Sequence, residues 1–244
     1  MGANRRISAV SSIGSRSIYY QQLSAFWRQS VALLTMTILL INAHAAWAKP
    51  DHMKVLVLGD SISAAYGMDL EQGWAALLER RLNRTSGGDS PWRVVNASIS
   101  GDTTGGGLQR LPKLLAKHTP ELMLIELGGN DGLRGYPINQ LRENLEAMVT
   151  LGQEAGARVL LLAMEIPPNL GGRYTQLFRD SFTVVAEATD AGTVPFILAG
   201  IATRPELMQP DGIHPTPAAQ SMILDNIWPY LEPLVEELES NRRD

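Results

Sequence analysis

Apolar residues fall into short runs of strand length at residues 54–59, 93–96, 121–128, 158–164 and 194–199, and segments of helical spacing separate them. Residues 73–82 carry Trp74, Leu77, Leu78 and Leu82 on one stripe, and residues 141–151 repeat the pattern with Leu141, Leu145, Met148, Val149 and Leu151. Further helices are expected over residues 108–117, 174–191 and 217–239. Continuous Val, Leu and Ile strands alternating with amphipathic helices predict an α/β fold, a doubly wound three-layer sandwich with a central parallel sheet covered on both faces. There is no internal repeat and no linker long enough to divide this pattern, although residues 87–91 (Gly-Gly-Asp-Ser-Pro) read as an exposed loop.

The beginning of the chain breaks the pattern. Residues 1–48 contain four arginines and no acidic residue, followed by an eleven-residue apolar stretch from Val31 to Ile41 and the small-x-small sequence Ala46-Trp47-Ala48. The stretch is short of the roughly 20 residues needed to span a bilayer, which predicts a cleaved secretory signal over residues 1–48 and one domain over 49–244, periplasmic or secreted, with no stable membrane anchor. Removing the leader takes away those four arginines and moves the formal charge from −4 to −8. An acidic surface disfavours nucleic acid and anionic membranes as partners. The chain has no cysteine, which excludes disulfides, a thiol nucleophile and thiolate metal sites.

In open parallel sheets the ligand crevice lies beyond the carboxyl ends of the strands. Four polar segments fall there: Gly59-Asp60-Ser61 after the first run, Ser100-Gly101-Asp102 after the second, Gly128-Gly129-Asn130-Asp131 after the third, and Asp211-Gly212-Ile213-His214 after the fifth. Taken alone, Gly59-Asp60-Ser61 reads equally well as a strand-to-helix cap or as a nucleophile turn. A serine nucleophile needs a base, and of His44, His52, His118 and His214 the first three are assigned elsewhere: to the leader, to the start of the mature chain, and to surface capping at a helix end. His214 is therefore the expected base, with Asp211 three residues earlier as its orienting acid and Ser61 as nucleophile. The expected oxyanion donors are the backbone N–H groups of Ser61, placed at a helix start, and of Gly101, with the side-chain amide of Asn130. Asp60 is expected to brace the nucleophile loop, Asp102 to cap the helix that begins near Thr103, and Asp131 to form a turn with Gly132. No paired-histidine spacing suggests a metal, and no cofactor is expected.

With these four blocks assembled, the chain resembles the SGNH (GDSL-type) hydrolases, whose signature residues correspond here to Ser61, Gly101, Asn130 and His214. The wording of the first three blocks is similar to the bacterial acyl-thioesterase, arylesterase and lysophospholipase branch. The resemblance implies a flavodoxin-like SGNH-hydrolase fold and a monomeric, metal-free esterase. It also implies hydrolysis of fatty-acyl thioesters, aryl esters and lysophospholipids through an acyl-serine, with Asp211 completing the triad. The serine does not stand in Gly-x-Ser-x-Gly, so the α/β-hydrolase nucleophile elbow does not apply. An acyl groove is expected from the loops after the third and fourth strands, with Leu133, Tyr136, Pro137, Pro168, Asn169 and Leu170 as substrate-binding residues. The alternatives are a carbohydrate or peptidoglycan O-acetylesterase with the same blocks, and a noncatalytic acyl-lipid carrier that keeps the fold.

Overall fold

A computed structural model describes residues 52–85 and 92–243. The expected leader and the loop at residues 87–91 lie outside the described residues. The order of elements is β1 (Met53–Gly59), α1 (Trp74–Thr85), β2 (Trp92–Asn96), α2 (Thr104–His118), β3 (Leu122–Glu126), a short α3 (Gly129–Leu133), α4 (Ile138–Glu154), β4 (Arg158–Leu162), α5 (Gly172–Thr189), β5 (Gly192–Val194) and α6 (Gln220–Arg243). Single 3₁₀ turns occupy Leu70–Gln72, Pro168–Leu170, Pro205–Leu207 and Pro217–Ala219.

The five strands form one parallel sheet in the order β2-β1-β3-β4-β5. From β1 the chain moves outward to β2, then returns past β1 to β3, so the direction of winding reverses beside β1. Right-handed crossovers consequently send α1 to one face and α2, α4 and α5 to the other. The packing agrees, since α2 lies against α4, α4 against α5, and α1 against α6. Covering on both faces explains why Val55 to Leu58 of β1 and Leu122 to Ile125 of β3 are all fully buried. Trp74 and Trp92 are sealed in the same core. Among the described residues no helix is long and apolar enough to cross a membrane.

The fifth strand departs from expectation. It covers Gly192–Val194 and ends at Pro195, which has no N–H to give the ladder. Residues 196–202 instead coil through short turns, with Ala199 N–H donating to the Phe196 carbonyl and Ile201 N–H to that of Leu198, both at 3.0 Å. Their apolar character, which reads as a strand in sequence, goes into burying Ile197, Leu198 and Ile201.

Candidate active site

The strand ends at the reversal beside β1 carry the polar segments. Ser61 follows Gly59, the last residue of β1, in a tight turn held by Ala64 N–H to the Asp60 carbonyl (2.9 Å) and Tyr66 N–H to the Ser61 carbonyl (3.1 Å). No helix starts at Ser61, contrary to expectation: residues 61–67 are turns, and Ala65 adopts a left-handed φ of 57° that stops helical propagation. The Ser61 N–H therefore owes its direction to this turn rather than to a helix end.

The Asp211–His214 segment is folded onto Ser61 from 150 residues away. His214 Nε2 lies 2.8 Å from Ser61 Oγ, and Nδ1 lies 2.7 Å from Asp211 Oδ2. The tautomer that satisfies both contacts has Nδ1–H donating to Asp211 and Nε2 accepting from the serine hydroxyl. The other carboxylate oxygen, Asp211 Oδ1, accepts the backbone N–H groups of Ile213 (2.9 Å) and His214 (3.0 Å). The His214 N–H above all, then the imidazole and the Ile213 N–H, hold the Asp211 carboxyl down at about 2. Gln209 ties the segment to the Ser61 turn: its N–H donates to the His214 carbonyl (2.7 Å), and its side-chain amide donates to the carbonyls of Tyr66 (2.8 Å) and Pro215 (3.1 Å).

Gly101 has φ +80°, the left-handed region, while an added Cβ would meet only the Arg134 guanidinium at 3.9 Å. Backbone conformation, not crowding, favours glycine there. Arg134 fixes the segment by donating to the Gly101 carbonyl at 3.0 Å. Asn130, in the short helix α3, donates through Nδ2 to Asp60 Oδ2 at 3.0 Å. Ser61, Gly101, Asn130 and His214 all line one cavity of about 650 Å³.

Behind this wall lies a buried acidic pair. Asp60 braces the turn as expected, its Oδ1 accepting from Ile62 N–H at 3.1 Å, and burial pushes its carboxyl up to about 6. Glu126, the last residue of β3, was not singled out in the sequence. Its Oε2 accepts from Ser63 Oγ (2.7 Å) and from the N–H groups of Asp60 (3.2 Å) and Ser63 (3.3 Å). Complete burial, and next the Asp60 carboxylate, raise the Glu126 carboxyl well above the usual range. The available signal was one acid closing the otherwise apolar run Leu122-Met123-Leu124-Ile125.

Two other aspartates do different work from that expected. The N-cap of α2 is Thr103, whose hydroxyl accepts from Gly106 N–H at 3.3 Å. Asp102, one residue earlier, accepts from the Thr103 N–H through Oδ1 (3.0 Å) and pairs through Oδ2 with Arg110 at 2.8 Å, which also reaches the carbonyls of Ala97 and Gly59. Asp131 is no surface turn residue: it is buried in α3 and accepts from Thr104 N–H (2.9 Å) and Oγ1 (2.5 Å), locking α3 to the start of α2. His118 closes α2, where its carbonyl accepts from Lys54 Nζ at 2.9 Å.

Of the residues expected to bind substrate, Leu133 and Pro168 line the cavity, whereas Tyr136, Pro137, Asn169 and Leu170 do not. Tyr136 uses its carbonyl to accept from the Tyr174 hydroxyl, and Pro137 is spent as the N-cap of α4. Ile166, from the loop expected to form the groove, and Ile213, beside His214, also line the apolar wall, and Phe196, Leu198 and Met208 complete it without having been expected there. These last three come from segments whose course is set by tertiary packing, with no local motif to mark them. Among the described residues no cluster of three or more His, Asp and Glu side chains could hold a metal ion.

The family described as GDSL-like lipase/acylhydrolase matches residues 57–222 of this chain. The esterase TesA of Pseudomonas aeruginosa is 53% identical over 181 residues, 74% of this chain and 89% of that protein. An arylesterase of Vibrio mimicus is 48% identical over 70% of this chain and 84% of its own. The thioesterase 1/protease 1/lysophospholipase L1 of Escherichia coli K12 is 42% identical over 74% of this chain and 84% of its own. A crystal structure of TesA, 52% identical, superposes with a TM-score of 0.72 and covers 75% of this chain and 99% of that one.

Proposed function

The chain belongs to the GDSL-like lipase/acylhydrolase family and is a serine hydrolase of the esterase type, and from that premise we propose that Ser61, His214 and Asp211 form its catalytic triad. The observation that carries this reading is the relay of contacts, 2.8 Å from Ser61 Oγ to His214 Nε2 and 2.7 Å from His214 Nδ1 to Asp211 Oδ2. His214 takes the hydroxyl proton as Ser61 Oγ attacks the ester carbonyl, and Asp211 balances the imidazolium that forms. The tetrahedral oxyanion is met by the N–H groups of Ser61 and Gly101 and by Asn130 Nδ2. Collapse returns the proton to the leaving alcohol or thiol, and water then releases the acyl group from Ser61 by the same steps in reverse order.

Long acyl groups are the favoured substrates. A cavity of about 650 Å³ with Leu133, Ile166, Phe196, Leu198, Met208 and Ile213 in its wall is larger and more apolar than an acetyl group needs. This favours acyl esters over the O-acetyl esters of carbohydrate or peptidoglycan. The relatives named arylesterase and thioesterase/lysophospholipase support aryl esters, acyl thioesters and lysophospholipids as the substrate range. The protein acts as an exported monomer, periplasmic or secreted, with no membrane anchor once the acid-free, arginine-containing leader is cleaved. A fluorophosphonate probe should label Ser61 in the folded protein, and a series of p-nitrophenyl esters should rise in kcat/KM beyond acetate. Absence of label, or a strict preference for acetate, would refute the reading.

A further inference from the structure

The nucleophile turn is gripped from behind by one oxygen atom. Glu126 Oε2 accepts from the backbone N–H of Asp60 on one side of Ser61, and from both the N–H and the hydroxyl of Ser63 on the other. From these contacts we propose that Glu126 is a positioning residue for catalysis: it clasps residues 60–63 so that the Ser61 hydroxyl and the Ser61 N–H are aimed before substrate arrives. The inference rests on Ser61 being the nucleophile.

Three features of the site make the clasp more than a buried polar contact. The β3 register sets Glu126 directly opposite Gly59, so the carboxyl is carried by the rigid centre of the sheet and not by a loop. Gly59 leaves the room for it, because a Cβ there would stand 2.8 Å from Glu126 Oε2 and 2.7 Å from Ser63 Oγ. The grip also extends to the oxyanion side, since Asp60, held by its N–H, anchors Asn130 Nδ2 through its carboxylate. One residue thereby sets the geometry of the attacking atom and of two oxyanion donors.

The second oxygen explains how an acid can sit there without harming the reaction. Glu126 Oε1 is buried and receives no donor among the described residues. A neutral carboxylic acid fits this arrangement: Oε2 stays a carbonyl-type acceptor for three donors, and the acid proton is given to the Asp60 carboxylate, which a side-chain hydrogen bond from Glu126 lowers. Burial and the neighbouring Asp60 favour that form. A neutral group behind the oxyanion site organises donors and adds no negative charge to repel the intermediate.

Glutamine is then the conservative replacement, because its amide oxygen can accept from the same three donors. Glu126→Gln should keep kcat within about threefold of wild type on a p-nitrophenyl ester. Glu126→Leu, which fills the space but accepts nothing, should lower kcat per active site by roughly 10²-fold, the scale of one lost transition-state contact, with KM little changed. Sites are counted by the burst of p-nitrophenol, and the rate of fluorophosphonate labelling at Ser61 should fall in parallel. If E126L gives no folded protein, Ser63→Ala decides: it removes one of the three donors and should lower kcat about three- to tenfold at constant KM. Wild-type kcat per site in the folded E126L or in S63A, with only the melting temperature lowered, would overturn the inference and leave Ser61 as nucleophile untouched. Wild-type protein that takes no label at Ser61 would instead remove its premise.

Discussion

The ring of Tyr66 lies 4.4 Å, centroid to centroid, from the imidazole of His214, tilted by 35°. Tyr66 is half exposed at the cavity edge, and Gln209 joins its carbonyl to the backbone of the His214 segment. A π face at this distance stabilises the positive charge that develops on the imidazole in the transition state, by about 0.5–1 kcal/mol at a partly exposed site. Tyr66→Phe should therefore leave kcat unchanged, and Tyr66→Ala should lower it about two- to fivefold. Equal kcat in the alanine variant and the wild type would show the contact to be incidental.

Replacing Ser61, the proposed nucleophile, should be far more severe. Ser61→Ala is expected to lower turnover of a short aryl ester by several orders of magnitude while leaving the fold and its melting temperature intact, because Ser61 lines an open cavity and is not part of the core. Asn130→Ala should cost roughly 10²–10³-fold in kcat as a lost oxyanion donor. The comparison of interest is KM, which should move little in either variant if both groups act in the transition state.

Asp211, the proposed orienting acid, contacts His214 and is held at about 2 chiefly by the His214 N–H, so it stays charged through the acid range. Its stabilising effect is present above the ordinary carboxylate value of 3.8 and is lost only as pH falls through about 2. Loss of activity between pH 7 and 4 should accordingly be independent of Asp211 protonation. Asp211→Asn removes the charge and the preference for the productive tautomer, and kcat should drop by up to about 10⁴-fold. A drop of less than about tenfold in an ester assay at pH 8 would show that the acid has no orienting role.

How far the sequence discloses this arrangement depends on whether a residue acts through its neighbours in the chain or through distant elements. The runs that become β1 and β3 are legible because burial on both faces demands an unbroken apolar string. The fifth run is misleading because Pro195 ends the ladder while Ile197 and Leu198 still need burial. Ser61, Gly101, Asn130 and His214 could be brought together on paper because each follows a strand, and parallel strands bring their carboxyl ends to one edge. Asp102 and Asp131 look like local caps and turns, but Asp102 pairs with Arg110, two turns along the helix it precedes, and Asp131 with Thr104, which only the packing of α3 on the start of α2 brings near. Glu126 is hidden for the same reason: its contacts are more than 60 residues away.

Asp60 links stability to pH with a sign opposite to that of Asp211. Burial raises its carboxyl from 3.8 to about 6, so on raising the pH the unfolded chain gives up this proton before the folded one does. Folding stability from this group is greatest below pH 3.8 and falls as pH rises towards 6, by about 2–3 kcal/mol in all, each unit of difference being about 1.4 kcal/mol. Asp60→Asn cannot ionise, so its melting temperature should gain on that of wild type between pH 4 and pH 7. Its kcat should fall, since the Asn130 amide loses a carboxylate acceptor. A melting-temperature difference that is flat across this range would place the ionisation elsewhere.

Gly59 is the residue on which the Ser61 turn closes. An added Cβ would stand 2.7 Å from Ser63 Oγ, 2.8 Å from Ser63 Cβ and 2.8 Å from Glu126 Oε2, all of them side-chain atoms packed at the buried end of β1. None can withdraw freely, because Ser63 and Glu126 are bonded to each other at 2.7 Å and Glu126 is fixed in the sheet. Overpacking of this kind costs about 1–3 kcal/mol. Gly59→Ala should therefore lower the urea midpoint and at the same time reduce kcat, since relief of the clash requires the turn carrying Ser61 to move. A variant that unfolds earlier but keeps wild-type kcat per burst-titrated site would mean that the turn tolerates displacement without loss of aim.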